Sequence, residues 1–245
     1  MYPLYSLEVH KNCESTMDLA KDWVLSAPQS SIHFIHSYSQ SKGRGKRERV
    51  WISAKGNFFG TLVLPFPYAL EKRGDMAFLI AVAAAKALNQ FDPVLEIKFK
   101  WPNDLMIQRK KLGGILLESL TNEGGDHFLS IGVGINFMDR PDHIPSTALS
   151  LHMKVMPTLD DFRDLFIDKI FYYYGLWQEN GFAPIRHLWL NQALNIGETI
   201  QLFVGKEMIN GTFKTLDEQG ALVLVDDRGR EKVFHTGEVL FEHMN

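Results

Sequence analysis

A chain of 245 residues with 45% hydrophobic and 22% charged side chains can bury one large core, or a medium domain beside a small one. Its 26 basic and 29 acidic residues give a net charge of -3, which argues against a general nucleic-acid binder, usually basic overall. The single Cys13 excludes an intrachain disulfide and fits a reducing compartment; it reads as a small, partly buried apolar residue. The chain opens without a basic segment leading into an apolar run, and it has no uninterrupted apolar stretch of membrane-spanning length. A cytoplasmic, membrane-free protein is therefore expected.

Residues 14–26, ESTMDLAKDWVLS, predict a short amphipathic helix with Ser15 or Thr16 as N-cap and Leu19, Trp23 and Val24 on one face. SIHFIHSYS (31–39) alternates and is rich in aromatic and β-branched residues, so it predicts a strand. That strand leads into KGRGKRER (42–49), five cations and two glycines in eight positions. FFGTLVLPF (58–66) predicts a strand ended by Pro65 and Pro67, and MAFLIAVAAAKALNQF (76–91) a helix apolar nearly all round. Strands are expected at 94–101, 113–120 and 127–137, with a turn from Pro102 filling the gap between the first two. Residues 158–181 predict a long helix with Thr158 and Asp161 as a capping box. On it Phe162, Leu165, Phe166, Lys169, Tyr173 and Trp177 recur at helical spacing, a stripe read mainly as core. From Asn195 the character changes to four short strand-like segments, 199–205, 208–217, 221–227 and 231–239, separated by Gly- and Asp-containing turns. A small β-barrel of residues 195–245 after an α+β domain of residues 1–194 is the expected organisation.

The basic loop invites a phosphate reading, yet the standard forms are absent. No Gly-x4-Gly-Lys-Ser/Thr occurs, and a dinucleotide fingerprint starting at Gly43 would need glycine where Glu48 stands. His33 and His36 lie three apart in a strand, so they point to opposite faces and do not form a metal pair. No Gly-x-Ser-x-Gly elbow is present. KWPND (100–104) is more informative: Pro102 stops a strand and presents Asn103 and Asp104 at its end. Lys111 follows, entering a strand that contains Gly113 and Gly114, and GVGIN (132–136) repeats the paired glycines further on. Strands that lack bulk at matching places suit the floor of a pocket.

In this order, Ser15–Thr16, Gln40, Gly43–Arg49, Trp51, KWPND, KLGGIL, GVGIN and the C-terminal GALVL and HTGEV closely resemble the biotin–protein ligase family over nearly the whole chain. The resemblance implies a catalytic domain with a mixed β-sheet flanked by helices, class II synthetase-like, followed by a small SH3-like barrel. It also implies an activity: ATP-dependent conversion of biotin to biotinyl-5′-AMP, then transfer to a lysine of a biotin carboxyl carrier domain. The matching motifs begin at Ser15, so the expected form is the short one, without the DNA-binding helix-turn-helix that some members carry. Whether it forms a homodimer is left open.

By that resemblance, Lys111, Arg44 and Asp104 are the catalytic residues. Ser15, Thr16, Gln40, Gly43, Arg44, Lys46, Lys111, Gly114 and Gly132 contact biotin, while Arg44, Lys46, Arg47, Arg49, Trp51, Asn103, Asp104, Lys111 and Asn136 serve the nucleotide. Mg2+ is expected with ATP, and no fixed protein metal site. A carboxylate must attack a polyanion in the first step, so cations around both groups lower the repulsion and stabilise the developing charge. On this reading the five cations of 42–49 repel one another until anionic ligands arrive and order the loop. Two positions depart from the family pattern: Glu48 replaces a usual glycine, and Lys46 stands where arginine is common, without arginine's bidentate fork. The nearest rival, lipoate–protein ligase, would carry an Arg-Arg-x-Ser-Gly-Gly-Gly signature, whereas GRGKRER is present.

Overall fold

A computed structural model describes residues 3–240 of the chain. Its larger part is a seven-stranded mixed sheet in the order β1-β2-β3-β7-β6-β5-β4. The strands are β1 (Ser6–His10), β2 (His33–Ser37), β3 (Phe58–Pro65), β4 (Lys98–Lys100), β5 (Asp104–Ile107), β6 (Lys110–Thr121) and β7 (His127–Ile135). Only β1 and β2 pair in parallel; the remaining neighbours are antiparallel.

The helices divide between the two faces. Helix α1 (Thr16–Leu25) packs Ala20 and Val24 against Ile35, Val63 and Phe128, with Leu19 and Trp23 at the margin of this small cluster. On the other face lie α2 (Arg73–Phe91), α3 (Leu159–Asn180) and α4 (Ala183–Leu190), over the main core. The alanine run of α2 is fully buried, as an all-round apolar helix should be. His33 and His36 do point apart: His33 stacks on Trp23 of α1 at 4.6 Å, whereas His36 stacks on Phe58 at 5.0 Å in the main core.

Several expectations need correction. Only Lys98–Lys100 of the segment 94–101 is strand, and the supposed turn after Pro102 contains a strand of its own, β5, hairpinned to β6. Its loop is Gln108–Arg109, with φ of 49° and 61°, the two positive φ values of a type I′ turn. Strand β1 and helix α4, which starts with Pro184 in its first turn, were unforeseen. The capping box at α3 is half formed. Thr158 Oγ accepts from the Asp161 amide at 3.0 Å, but the Asp161 carboxylate accepts from the Thr158 hydroxyl at 2.6 Å instead of reaching back to a backbone amide.

Among the described residues the C-terminal region forms an antiparallel sheet of five strands, not four, in the order β11-β10-β9-β8-β12. They are β8 (Thr199–Val204), β9 (Glu207–Leu216), β10 (Leu222–Val225), β11 (Glu231–Phe234) and β12 (Glu238–Leu240). The expected single strand 231–239 breaks at His235–Gly237, and among the described residues β11 and β12 do not pair to close a barrel. Leu202, Phe213, Leu216, Leu222 and Leu224 belong to the same apolar core as the large sheet. Trp101 Nε1 also donates to the Gly220 carbonyl at 3.0 Å. Among the described residues no helix is long and apolar enough to cross a membrane.

Candidate active site

A cavity of about 1200 Å³ is lined by the start of α1, the basic loop, β6 and β7, the first turns of α2 and the C-terminal region. Its floor is backbone. Gly114 of β6 lies opposite Gly134 of β7, and Leu116 opposite Gly132. A Cβ on Gly134 would stand 2.6 Å from the Trp51 indole, and one on Gly132 would stand 2.7 Å from Met17 Sδ, so side chains from outside the sheet occupy the space these glycines leave.

Lys111 reaches this floor through an irregularity in β6. Leu105 pairs with Gly113 and Met106 with Lys111, leaving Leu112 as an extra residue. Strict alternation would put Lys111 and Gly114 on opposite faces. The bulge instead drops Leu112 into the core and turns Lys111 to the cavity, with Nζ 3.3 Å from where a Gly114 Cβ would be. Lys111 Nζ pairs with Asp104 Oδ1 at 2.7 Å and lies 5.5 Å from the Trp51 ring centroid.

At one end, the backbone of Cys13 and Glu14 zips onto Ser39, Ser41 and Lys42, which brings Ser15 and Thr16 beside Gln40. Gln40 Oε1 accepts from the Thr16 amide at 2.8 Å and its hydroxyl at 3.1 Å, and Thr61 donates to Thr16 Oγ1 at 2.8 Å. Ser15 is the N-cap of α1, but its hydroxyl caps nothing. At the other end, Asn136 leaves β7 and donates to the Thr147 carbonyl at 3.0 Å, tying down a loop whose Pro141, His143, Ile144 and Ser146 also line the cavity. Six buried side-chain polar atoms among the described residues lack a hydrogen-bond partner. Four of them belong to cavity residues: Ser15 Oγ, Arg44 Nε, Trp51 Nε1 and Asn136 Oδ1. Buried polar groups are normally satisfied, so this concentration marks a ligand site.

The basic loop is not a set of unpaired charges. Lys42 pairs with Glu14 at 2.9 Å, Arg44 with Asp18 at 3.0 Å and with Glu118, and Lys46 with Asn103 Oδ1 at 2.8 Å. Arg49 grips Glu238 of β12 with two bonds of 2.9 and 2.7 Å, and Arg47 lies 3.7 Å from the same carboxylate. Mutual repulsion before ligand binding, expected from the sequence, is thus offset by acidic partners from four other segments. Loss of solvent around its ammonium pushes the Lys46 pKa down to about 8, with Asp104 opposing and Lys111 and Arg47 adding to the drop. Lys100 is lowered for the same leading reason.

Of the site residues read from the sequence, Ser15, Thr16, Gln40, Arg44, Lys46, Arg47, Arg49, Trp51, Asn103, Asp104, Lys111, Gly114, Gly132 and Asn136 all line this one cavity. Gly43 does not. A Cβ there would meet Trp51 O at 2.5 Å and Ser53 Oγ at 2.4 Å, so this glycine lets the loop fold back onto the segment by which the chain leaves it. Lys100 and Gly134 line the cavity without having been singled out, although both sit inside the quoted motifs.

Comparison with known proteins agrees with this geometry. Residues 9–136 match the model of the biotin/lipoate A/B protein ligase family, and residues 196–241 match that of the biotin protein ligase C-terminal domain. A biotin–[acetyl-CoA-carboxylase] ligase of Paracoccus denitrificans is 34% identical over 222 residues, covering 86% of this chain and 91% of that protein. The bifunctional ligase/repressor BirA of Bacillus subtilis is 32% identical over 85% of this chain, which spans only 65% of that longer protein. In fold, the chain is similar to a biotin protein ligase from Aquifex aeolicus solved with biotin and ATP. That match has a TM-score of 0.81 at 24% identity, over 97% of this chain and 98% of the other. With both domain models matched in order and a relative of this similarity spanning most of both chains, the chain belongs to the biotin/lipoate A/B protein ligase family, on its biotin–protein ligase side.

Proposed function

We propose that this protein activates biotin to biotinyl-5′-AMP with ATP and transfers the biotinyl group to a lysine of a biotin carboxyl carrier domain. The observation that carries the reading is the seating of Lys111 over the paired glycines of β6 and β7, between an end rich in hydroxyl and amide groups and an end rich in cations. Ser15, Thr16 and Gln40 suit the uncharged, hydrogen-bonding ureido ring. Arg44 and Lys111 suit the carboxylate, and Lys46, Arg47, Arg49 and Asn136 suit the nucleotide.

In the first step a carboxylate oxygen of biotin attacks the α-phosphorus of ATP and pyrophosphate departs. Lys111 would leave Asp104 to bridge the two reacting anions, so its charge is felt most where negative charge builds up. In the second step the acceptor amine attacks the anhydride carbonyl and AMP leaves. Asp104, released from Lys111, would orient that amine and accept its proton. Magnesium would arrive on the triphosphate and shield its charge. The oxygens at that end, Asn103 Oδ1 and the Asp104 carboxylate, already accept from Lys46 and Lys111 and suit contact with a nucleotide-borne ion. A cytoplasmic location fits a substrate pool of ATP and apo-carrier.

The test is pyrophosphate release with biotin, with lipoate and with both. Release that needs biotin and ignores lipoate supports the proposal. Release driven by lipoate would move the chain to the other side of its family.

A further inference from the structure

Arg44 is held in an unusual way. Its Nη1 is 3.0 Å from Asp18 Oδ1, in the first turn of α1, and its Nη2 donates to Glu118 Oε2 on β6. Neither carboxylate lines the cavity, whereas Arg44 does. Glu118 lies two and four residues beyond Leu116 and Gly114 on the same face of β6, paired with Ser130 as they are paired with Gly132 and Gly134. It is therefore the next rung of the row that forms the floor. Asp18 follows Ser15 and Thr16 on the helix that forms the wall.

A guanidinium has five N–H donors. The two carboxylates engage Nη1 and Nη2, yet Nε is buried and has no partner. With Nε and one N–H on each Nη unused, the guanidinium can still donate to a ligand carboxylate on its Nε side. The two carboxylates fix the guanidinium plane from α1 and β6 at once, and an arginine so fixed loses less conformational freedom when it meets a ligand.

We propose that Asp18 and Glu118 are positioning residues that clamp Arg44 and aim its Nε side at the carboxylate of biotin. This rests on the biotin-ligase reading, because it is biotin that supplies the carboxylate. Their action passes through Arg44, so their effect must disappear when Arg44 is absent.

The experiment is a double-mutant cycle on biotin binding, read by calorimetry and by the KM for biotin in pyrophosphate release. Glu118→Ala should raise both about tenfold with a smaller change in kcat, since one charged contact on the arginine is lost. Asp18→Ala should act in the same direction, through its partially exposed pair. In an Arg44→Ala background neither substitution should weaken biotin further. Glu118→Gln, which preserves shape and one acceptor oxygen, should recover part of the loss and serves for the cycle if the alanine variant does not fold. Unchanged or tighter biotin binding by Glu118→Ala overturns the proposal, as does an equal penalty in the Arg44→Ala background. The wild type separates the two levels of the account. If it does not bind biotin at all, the functional reading fails; if it binds and the cycle shows no coupling, only the clamp fails.

Discussion

Along β6 and β7 the cavity floor is made of backbone: Gly114 faces Gly134, Gly132 lies under Met17, and both strands are paired on each side within a seven-stranded sheet. Over it, the cations of residues 42–49 are held by side chains from elsewhere in the chain, Glu14, Asp18, Glu118, Asn103 and Glu238, the last shared by Arg47 and Arg49. The floor's shape is set by main-chain hydrogen bonds and steric exclusion, which barely respond to salt or pH. The loop is set by exposed ion pairs, which contribute little each and are weakened by salt. A site that must admit two anions, hold a reactive intermediate and then release it benefits from that division. The permanent part shapes the ligand, and the outer pairs of the loop, Lys42–Glu14 and Arg49–Glu238, can be traded for the ligand's anions while Arg44 keeps its partners.

Lys111 lies where the two regions meet, and its loss is expected to be the largest single effect. Lys111→Gln keeps much of the length and removes the charge, so adenylate formation should fall by roughly 10²-fold or more, measured as pyrophosphate release. Near-normal release would mean that the floor merely binds and the chemistry lies elsewhere.

A pair of floor substitutions sharpens the contrast. Gly134→Ala sets a methyl against the Trp51 ring, with contacts of 2.6–2.8 Å that a stiff indole cannot relieve. Overpacking of this kind should cost about 1–3 kcal/mol in urea unfolding. Gly132→Ala meets the flexible Met17 thioether and should cost less. Equal costs for the two would contradict a floor whose rigidity depends on the ring.

The loop should respond to pH instead. An anionic ligand binds protonated Lys46, whose pKa is pushed down to about 8. Affinity for the nucleotide should thus hold steady below pH 8 and weaken above it, where an ordinary lysine, titrating near 10.4, would still be charged. Lys46→Arg should flatten that decline, because arginine does not deprotonate in this range. A decline of the same size in the arginine variant would assign it to another group. This is the smallest of the expected effects.

Much of the cavity lining was legible in the residues because it is built of local motifs. Ser15–Thr16, Gln40, KWPND, Lys111 and GVGIN each carry a backbone or charge requirement within a few positions, and the cavity gathers them all. What escaped reading depends on tertiary pairing. The bulge at Leu112 that turns Lys111 inward arises from register with β5, and β5 itself was hidden behind Pro102 and a Gln–Arg turn that lacks the usual Asn–Gly signal. Asp18 and Glu118 stand 100 residues apart in the chain, as exposed-looking acids on a helix and a strand, and only the fold brings them to one arginine. The splitting of 231–239 into β11 and β12 falls at His235–Gly237, a break that no residue pattern in the run announces. The partners of the basic loop were invisible for the same reason: Glu238 is 189 residues from Arg49.

The most direct test of the whole account is to mix the protein with biotin and ATP labelled at the α-phosphate, isolate it rapidly, and then add a carboxyl carrier domain. The account predicts labelled biotinyl-AMP that travels with the protein, is discharged as AMP when the carrier is added, and leaves one biotinyl group on the carrier by mass. It predicts little such intermediate with Lys111→Gln. Failure to find protein-bound adenylate in the wild type, or an adenylate that persists when the carrier is added, would contradict it.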